Sequence, residues 1–359
     1  MRNIKLQRGY LNKYNKPFVI SGPCSAETED QLMTTATALA KSGKVDMIRA
    51  GIWKPRTRPG TFEGIGEKAL QWMINAKKET GLPISVEVAN ANHIEQALKA
   101  EVDVLWIGAK TSVNPFSMQE IADALKGTNA KVLVKNPINP SLSLWLGAIE
   151  RLEKAEVEVV GVIHRGFTEF GDKIYRNNPL WQIPIELMII RPDLAIINDP
   201  SHICGNRTLL REIAQKAMDL NFDGIMIEVH NDPDNAWSDA MQQITPDTFT
   251  QLIDNLVIRK VKGENQTAHH DLEEYRRKID LVDSDIIALL GKRMDIVKLI
   301  GEYKKTHNTL VFQKSRWQEI VDQRLQHGGD LDLNPDFVKI ILKAIHDESI
   351  NIQEKIMND

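Results

Sequence analysis

Two sets of side chains in this 359-residue chain could do chemistry. The first is six cations: Arg49, Lys54, Arg56, Lys110, Lys135 and Arg165. Guanidinium forks and ammonium points are the groups that hold phosphates and carboxylates. Brought to one place they repel unless anions lie among them. Few acids stand near them in sequence, so the expected ligands are small phosphorylated acids or sugars. The second set is Cys24, His202, Glu228 and Asp239. One thiolate, one imidazole and two carboxylates suit a divalent transition metal such as Mn, Fe, Co or Zn. No short-spaced ligand motif joins the four. Glu228 and His230 stand two apart on one run and face the same way, so either could be the ligand there.

Residues this far apart meet only if regular elements carry them. Eight short β-rich apolar runs recur, at 16–22, 45–51, 83–89, 102–108, 130–136, 157–164, 194–200 and 224–230. Helical patterns such as 29–43 lie between them, punctuated by Gly or Pro. Near-continuous apolar strands alternating with helices read as parallel strands covered by helices. Eight is the count that closes a (β/α)8 TIM barrel of about 250 residues. A doubly wound open sheet is the alternative. On either plan the unusual polar residues fall at the strands' C-terminal ends. Cys24 follows the first run, Arg49 and Lys54 the second, and Glu87 lies on the third. Lys110 ends the fourth, Lys135 the fifth, His164 and Arg165 the sixth, Asp199 and His202 the seventh, Glu228 and His230 the eighth. Barrels of this kind carry their active sites on that face.

The pattern then changes. Residues 259–270 are polar and aperiodic and read as a linker. Leu272, Ile279, Val282, Ile286, Leu289, Leu290, Met294, Val297 and Ile300 repeat with a helical period. No proline interrupts 271–305, so the helix would be about 50 Å long. Two further helices are expected near 312–327 and 335–357, separated by HGGDLDLNP. An all-α three-helix domain over 271–359 with one element this long cannot cover its own apolar stripe. It is expected to pair with a second copy as a homodimer. The barrel would then occupy 1–258.

Composition bounds the rest. At 42% hydrophobic and 26% charged, with net charge −4, the chain can bury real cores. Mild acidity argues against nucleic acid or an anionic membrane as partner. No apolar run approaches the length of a membrane span, and residues 1–16 lack the apolar stretch of a signal peptide. A cytoplasmic protein is expected, and two cysteines make no disulfide framework.

Nine motifs appear in a telling order: GPCS (22–25), IRAG (48–51), KPRT (54–57), GAK (108–110), VKNP (134–137), HRGF (164–167), DPSH (199–202), EVH (228–230) and SDAMQQ (238–243). Together they resemble the type Iβ group of 3-deoxy-D-arabino-heptulosonate-7-phosphate (DAHP) synthases over about 17–259. The resemblance implies a metal-dependent barrel that condenses phosphoenolpyruvate with erythrose 4-phosphate and releases phosphate. It implies Cys24, His202, Glu228 and Asp239 as metal ligands. It places Arg49, Lys54, Lys110, Lys135 and Arg165, with Glu87 nearby, at phosphoenolpyruvate, and Arg56, Thr57 and Asp199 at erythrose 4-phosphate. Lys54 would double as a proton donor. GAK departs from the family's usual GAR, and SDAM from its usual DG pair. A sister synthase acting on arabinose 5-phosphate and a Schiff-base aldolase using Lys135 are the competing chemistries. KPRT favours the four-carbon sugar over the first, and the metal set argues against the second.

The C-terminal part resembles an all-helical chorismate mutase of the AroQ class, on YRRKID-LVD (275–283), LLGKR (289–293), GEYKK (301–305), SRW (315–317) and DESINIQ (347–353). The resemblance implies Arg276, Arg293, Lys304, Gln313, Arg316, Ser349 and Gln353 as site positions, with Arg293, Lys304 and Gln353 catalytic and Arg276 reaching a partner subunit. Helical geometry agrees: Arg293 and Lys304 stand eleven apart, on one face, and Ser349 and Gln353 are i,i+4 neighbours. The family often has Glu where Trp317 stands and an acid at Gln313. A fusion of this kind implies inhibition of the first reaction by chorismate or prephenate. The alternative keeps the synthase and makes the helical domain a sensor only.

Overall fold

The computed structural model describes residues 4–54, 60–169, 174–259 and 266–358, with side chains from 272 onward in the last stretch. The chain forms two compact units, Met1–Val261 and Lys262–Asp359.

In the first unit eight parallel strands close a barrel in sequence order: β1 (Phe18–Gly22), β2 (Met47–Ala50), β3 (Ile84–Val88), β4 (Val104–Ile107), β5 (Lys131–Lys135), β6 (Glu158–His164), β7 (Ala195–Asn198) and β8 (Gly224–Glu228). Each expected run contains one strand, and β1 pairs β8 from Phe18↔Gly224 to Gly22↔Glu228, which shuts the ring. The open sheet is therefore excluded. Both strand faces are buried, one against helices and one inside the barrel, which is why the runs read as continuously apolar.

The barrel's interior is filled in layers. Phe18, Ile20, Met47, Val104, Trp106, Leu133, Ile163, Ala195, Ile197 and Met226 form one inner cluster, closed by Leu6 and Tyr10 from the N-terminal segment. Asp223, just before β8, fastens that segment. It pairs with Arg8 at 2.9 Å and accepts the backbone N–H of Tyr10 at 3.0 Å and of Ile196 at 3.0 Å. With side chains alternating along each strand, the residue two beyond an inner apolar one also points inward. Arg49 follows Met47, Lys135 follows Leu133, and Glu228 follows Met226. The period-two rule thus carries charge into one layer at the barrel's C-terminal end.

The second unit is three helices, Gln266–Thr306, Lys314–Asp330 and Pro335–Asn358. The long helix begins inside the stretch read as linker. The turn expected at HGGDLDLNP is shorter than the sequence suggests, because Gly328 and Gly329 lie within the second helix. A Cβ on Gly328 would stand 2.9 Å from Val338 Cγ2, so glycine there lets the second and third helices approach closely. Among the described residues no helix is long and apolar enough to cross a membrane.

Candidate active site

The charged layer of the barrel is paired. Arg49 donates to Glu228 Oε1 at 2.9 Å and Lys135 to Asp199 Oδ2 at 2.8 Å, all four side chains being at most 5% exposed. The expectation that few acids lie near the cations is thereby corrected. The acids come from strands far away in sequence, which a linear scan does not bring together. Asp199 also caps the short helix Pro200–Cys204 through the N–H of His202 and holds the His202 ring, with Nδ1 2.8 Å from Oδ2. That contact turns Nε2 toward Glu228 Oε1, 3.7 Å away. Asp199 is fully buried and reaches Lys135 and His202.

Cys24 sits above this layer, fully buried, where a β-bridge joins Ser25 to Gly51. Its Sγ lies 3.2 Å from Asp239 Oδ2 and 2.8 Å from Lys54 Nζ, and Lys54 also donates to the Cys24 carbonyl at 3.0 Å. Arg56 and Thr57 fall outside the described residues. On β8 the two alternatives separate. Glu228 enters the site, whereas His230 turns to Glu27, 3.3 Å from Nε2 to Oε2. Glu87 accepts the indole N–H of Trp106 at 3.2 Å. Above the paired layer a cleft of about 620 Å³ is lined by Lys54, Glu87, Lys110, Lys135, Arg165, Arg176, His202 and Asp239.

Arg176 and Gln242 carry no chemistry legible in the sequence alone, although Gln242 lies within the SDAMQQ motif. Arg176 Nη1 bonds Asp239 Oδ1 at 2.9 Å and Gln242 Oε1 at 2.7 Å. Gln242 Nε2 in turn donates to Glu228 Oε2 at 2.6 Å. These two side chains tie the acids of β8 and the following loop into one network.

Electrostatics follow from burial and these pairs. Burial pushes the Cys24 thiol up to about 12, and the Glu228 charge adds to it. Burial opposes ionisation of Glu228 as well, yet His202 and Arg49 hold its carboxyl below the ordinary range. The same holds for Asp199, where His202 and Lys135 outweigh burial, and for Asp239, where Lys54 and Arg176 do. Burial lowers His202, against the pull of Asp199 and Glu228, which raise it. His164 is enclosed by Phe167, Trp181 and Phe222, and burial lowers it to about 4. Its Nε2 meets the Pro179 carbonyl at 2.7 Å.

The donor types fit a divalent metal: a thiol, an imidazole and two carboxylates in one mutually interacting network. They stand as two close pairs, Cys24 with Asp239 and His202 with Glu228. Among the described residues no group of three or more His, Cys, Asp and Glu is arranged to hold an ion as the side chains stand. Arg49 donates to Glu228 Oε1 and Lys54 to Cys24 Sγ.

In the helical unit, Arg293 Nη1 donates to Ser349 Oγ at 2.6 Å, and Gln353 Nε2 to the Ser349 carbonyl at 3.1 Å. Among the described residues Gln353 Oε1 is buried without a hydrogen-bond partner. Lys304 donates to the Val311 carbonyl at 2.6 Å. Trp317 stacks on His346 with centroids 3.9 Å apart. Arg276 and Arg316 are exposed and engage Glu273 and Glu319 on their own helices, and Gln313 is exposed at the start of the second helix.

Comparison with known proteins accounts for both units. Residues 4–260 match the DAHP synthetase I family and residues 275–354 match chorismate mutase type II. A phospho-2-dehydro-3-deoxyheptonate aldolase of Thermotoga maritima is 30% identical over 257 residues, which are 71% of this chain and 71% of that one. A 2-dehydro-3-deoxyphosphooctonate aldolase of Rickettsia prowazekii is 27% identical over 254 residues, 66% of this chain and 88% of that one. A crystal structure of the Thermotoga maritima DAHP synthase superposes with a TM-score of 0.59 at 29% identity, covering 67% of each chain. The chain belongs to the DAHP synthetase I family and carries, after its barrel, a chorismate mutase type II domain.

Proposed function

We propose that the barrel condenses phosphoenolpyruvate with erythrose 4-phosphate to give DAHP and phosphate, and that the helical unit rearranges chorismate to prephenate. The observation that carries the first reading is the cleft itself. Lys54, Lys110, Lys135 and Arg165 face one space above the Arg49–Glu228 and Lys135–Asp199 pairs. Two anionic substrates held there react as neighbours rather than by encounter. C3 of phosphoenolpyruvate attacks the aldehyde carbon while water adds at C2. The bond to the departing phosphate then breaks. The cations stabilise the anionic tetrahedral phosphate intermediate because they are in place before charge develops. Lys54, at the rim beside Cys24, protonates the alkoxide formed from the aldehyde. Cys24, His202, Glu228 and Asp239 would hold a divalent metal, Mn in preference to Fe, Co or Zn, which would supply Lewis-acid polarisation of the aldehyde oxygen. Arg56, Thr57 and Asp199 are assigned to the sugar phosphate.

Chorismate rearrangement needs no nucleophile, only a compact conformer and positive charge at the breaking ether bond. Arg293, Lys304, Ser349 and Gln353 fit that need, with Arg316 and Gln313 closing over the ligand. Arg276, exposed and remote from Arg293 on the same helix, completes the site of a second copy. Ile279 at 59% exposed, Val282 at 57% and Leu289 at 62% leave an apolar stripe on the long helix that supports such a homodimer. Prephenate or chorismate bound by this unit inhibits the barrel, which requires two domain arrangements of different affinity.

The test is phosphate release from phosphoenolpyruvate with erythrose 4-phosphate and, separately, arabinose 5-phosphate. Turnover with the four-carbon sugar supports the reading, and turnover with arabinose 5-phosphate alone overturns it. Loss of turnover in Lys54→Met is expected, and near-normal turnover removes the proton-donor role. Chorismate loss by wild type but not Arg293→Ala separates a mutase from a sensor.

A further inference from the structure

We infer that Trp106 is a positioning residue of the barrel site, its indole fixing Arg49, Lys135 and Glu87 for the carboxylate and phosphate of phosphoenolpyruvate. The inference rests on the phosphoenolpyruvate reading above. Trp106 lies on β4 and is fully buried. It pairs in register with Glu87 on one side and Leu133 on the other. It belongs to the inner apolar cluster and meets the charged layer through Arg49, Lys135 and Glu87.

Three contacts use the ring face and the indole N–H of this tryptophan. The Arg49 guanidinium carbon is 4.9 Å from the ring centroid and Lys135 Nζ is 5.9 Å from it, both within cation–π reach. The indole N–H donates to Glu87 Oε2 at 3.2 Å. Two cations converge on one ring whose negative face offsets their mutual repulsion. Glu87 is confined from the other side too, since a Cβ on Gly108 would meet its Oε1 at 2.0 Å. Each cation also bonds a buried acid, so the ring lies between two ion pairs and sets how far apart they stand. Leucine would fill part of the space and offer neither a face nor a donor. Phenylalanine would keep a face and lose the donor.

The experiment uses the full chain with Trp106→Phe and Trp106→Leu. It reads KM for each substrate, kcat, the melting temperature, and phosphoenolpyruvate affinity by isothermal titration without the sugar. In Trp106→Phe, phosphoenolpyruvate KM and Kd rise roughly ten-fold, the consequence of one lost hydrogen bond to the half-buried Glu87 carboxyl. In Trp106→Leu the rise is roughly thirty-fold or more as the cation–π contacts go as well. Erythrose 4-phosphate KM stays within about two-fold in both. A purely structural tryptophan predicts something else: lower melting temperature and kcat, with both KM values moving together or neither moving. That result overturns the inference. Should Trp106→Leu fail to fold, Trp106→Phe alone decides it. Wild-type chain that binds no phosphoenolpyruvate refutes the site reading and the inference with it. Wild-type binding with unshifted affinity in the variants refutes the inference alone.

Discussion

Breaking the Arg49–Glu228 pair tests whether buried charge holds the barrel mouth together. The two groups are 2.9 Å apart, with side chains 2% and 0% exposed. Removing one partner from such a pair leaves an uncompensated buried charge and costs about 3–5 kcal/mol. In Arg49→Met the Glu228 carboxylate keeps Gln242, 2.6 Å from its other oxygen, so the lower end of that range is expected. At about 2–4 °C per kcal/mol for a domain of this size, the barrel should melt roughly 10 °C lower. Glu228→Gln strands the guanidinium and should cost as much. The double variant should cost less than the sum, with a coupling of about 2 kcal/mol. The assay is thermal unfolding of the full chain in EDTA, followed by tryptophan fluorescence. Six of the seven tryptophans precede residue 262, so the signal reports the barrel. Single variants that lose under about 0.5 kcal/mol, or strict additivity, would refute the claim that the pair acts as a unit.

Gly108→Ala should displace Glu87 from Trp106, because the added Cβ would stand 2.0 Å from Oε1, costing about 1–3 kcal/mol and weakening phosphoenolpyruvate binding; urea denaturation and KM check both. His164, lowered to about 4 by burial, resists protonation in the folded state. Its contribution is complete above its unfolded pKa near 6.5 and is lost as pH falls towards 4, up to about 3 kcal/mol. The stability difference between pH 7 and 4.5 should therefore shrink in His164→Gln. Arg293→Ala removes the donor to Ser349 Oγ and should lower chorismate turnover by about 10³-fold or more while leaving the helical circular dichroism intact.

The strands were legible because a strand buried on both faces has no polar alternation to blur its ends. The eight runs at 16–22 through 224–230 each needed only a turn residue on either side. The site was half legible for the same reason: Arg49, Lys135 and Glu228 are charges that interrupt apolar runs at their C-terminal ends. Their pairing was not, since Arg49 and Glu228 lie 179 positions apart and only barrel closure joins them. Arg176 sits on a loop and Gln242 on the single 3-10 turn Ala240–Gln242, where no period reveals which way a side chain points. The glycines of HGG read as a break because glycine usually ends a helix. At Gly328 the want of a side chain serves close packing against Val338 instead. The N-terminal plug at Leu6 and Tyr10 is too short to carry a period at all.

The most direct test of the central claim is the loss of phosphoenolpyruvate absorbance on adding erythrose 4-phosphate to the EDTA-treated full chain, with and without Mn²⁺. The account predicts no loss without metal and steady loss with it, abolished by His202→Ala. Equal loss in EDTA and in Mn²⁺ would contradict the ligand set of Cys24, His202, Glu228 and Asp239. No loss from folded chain in any divalent metal would contradict the synthase reading itself.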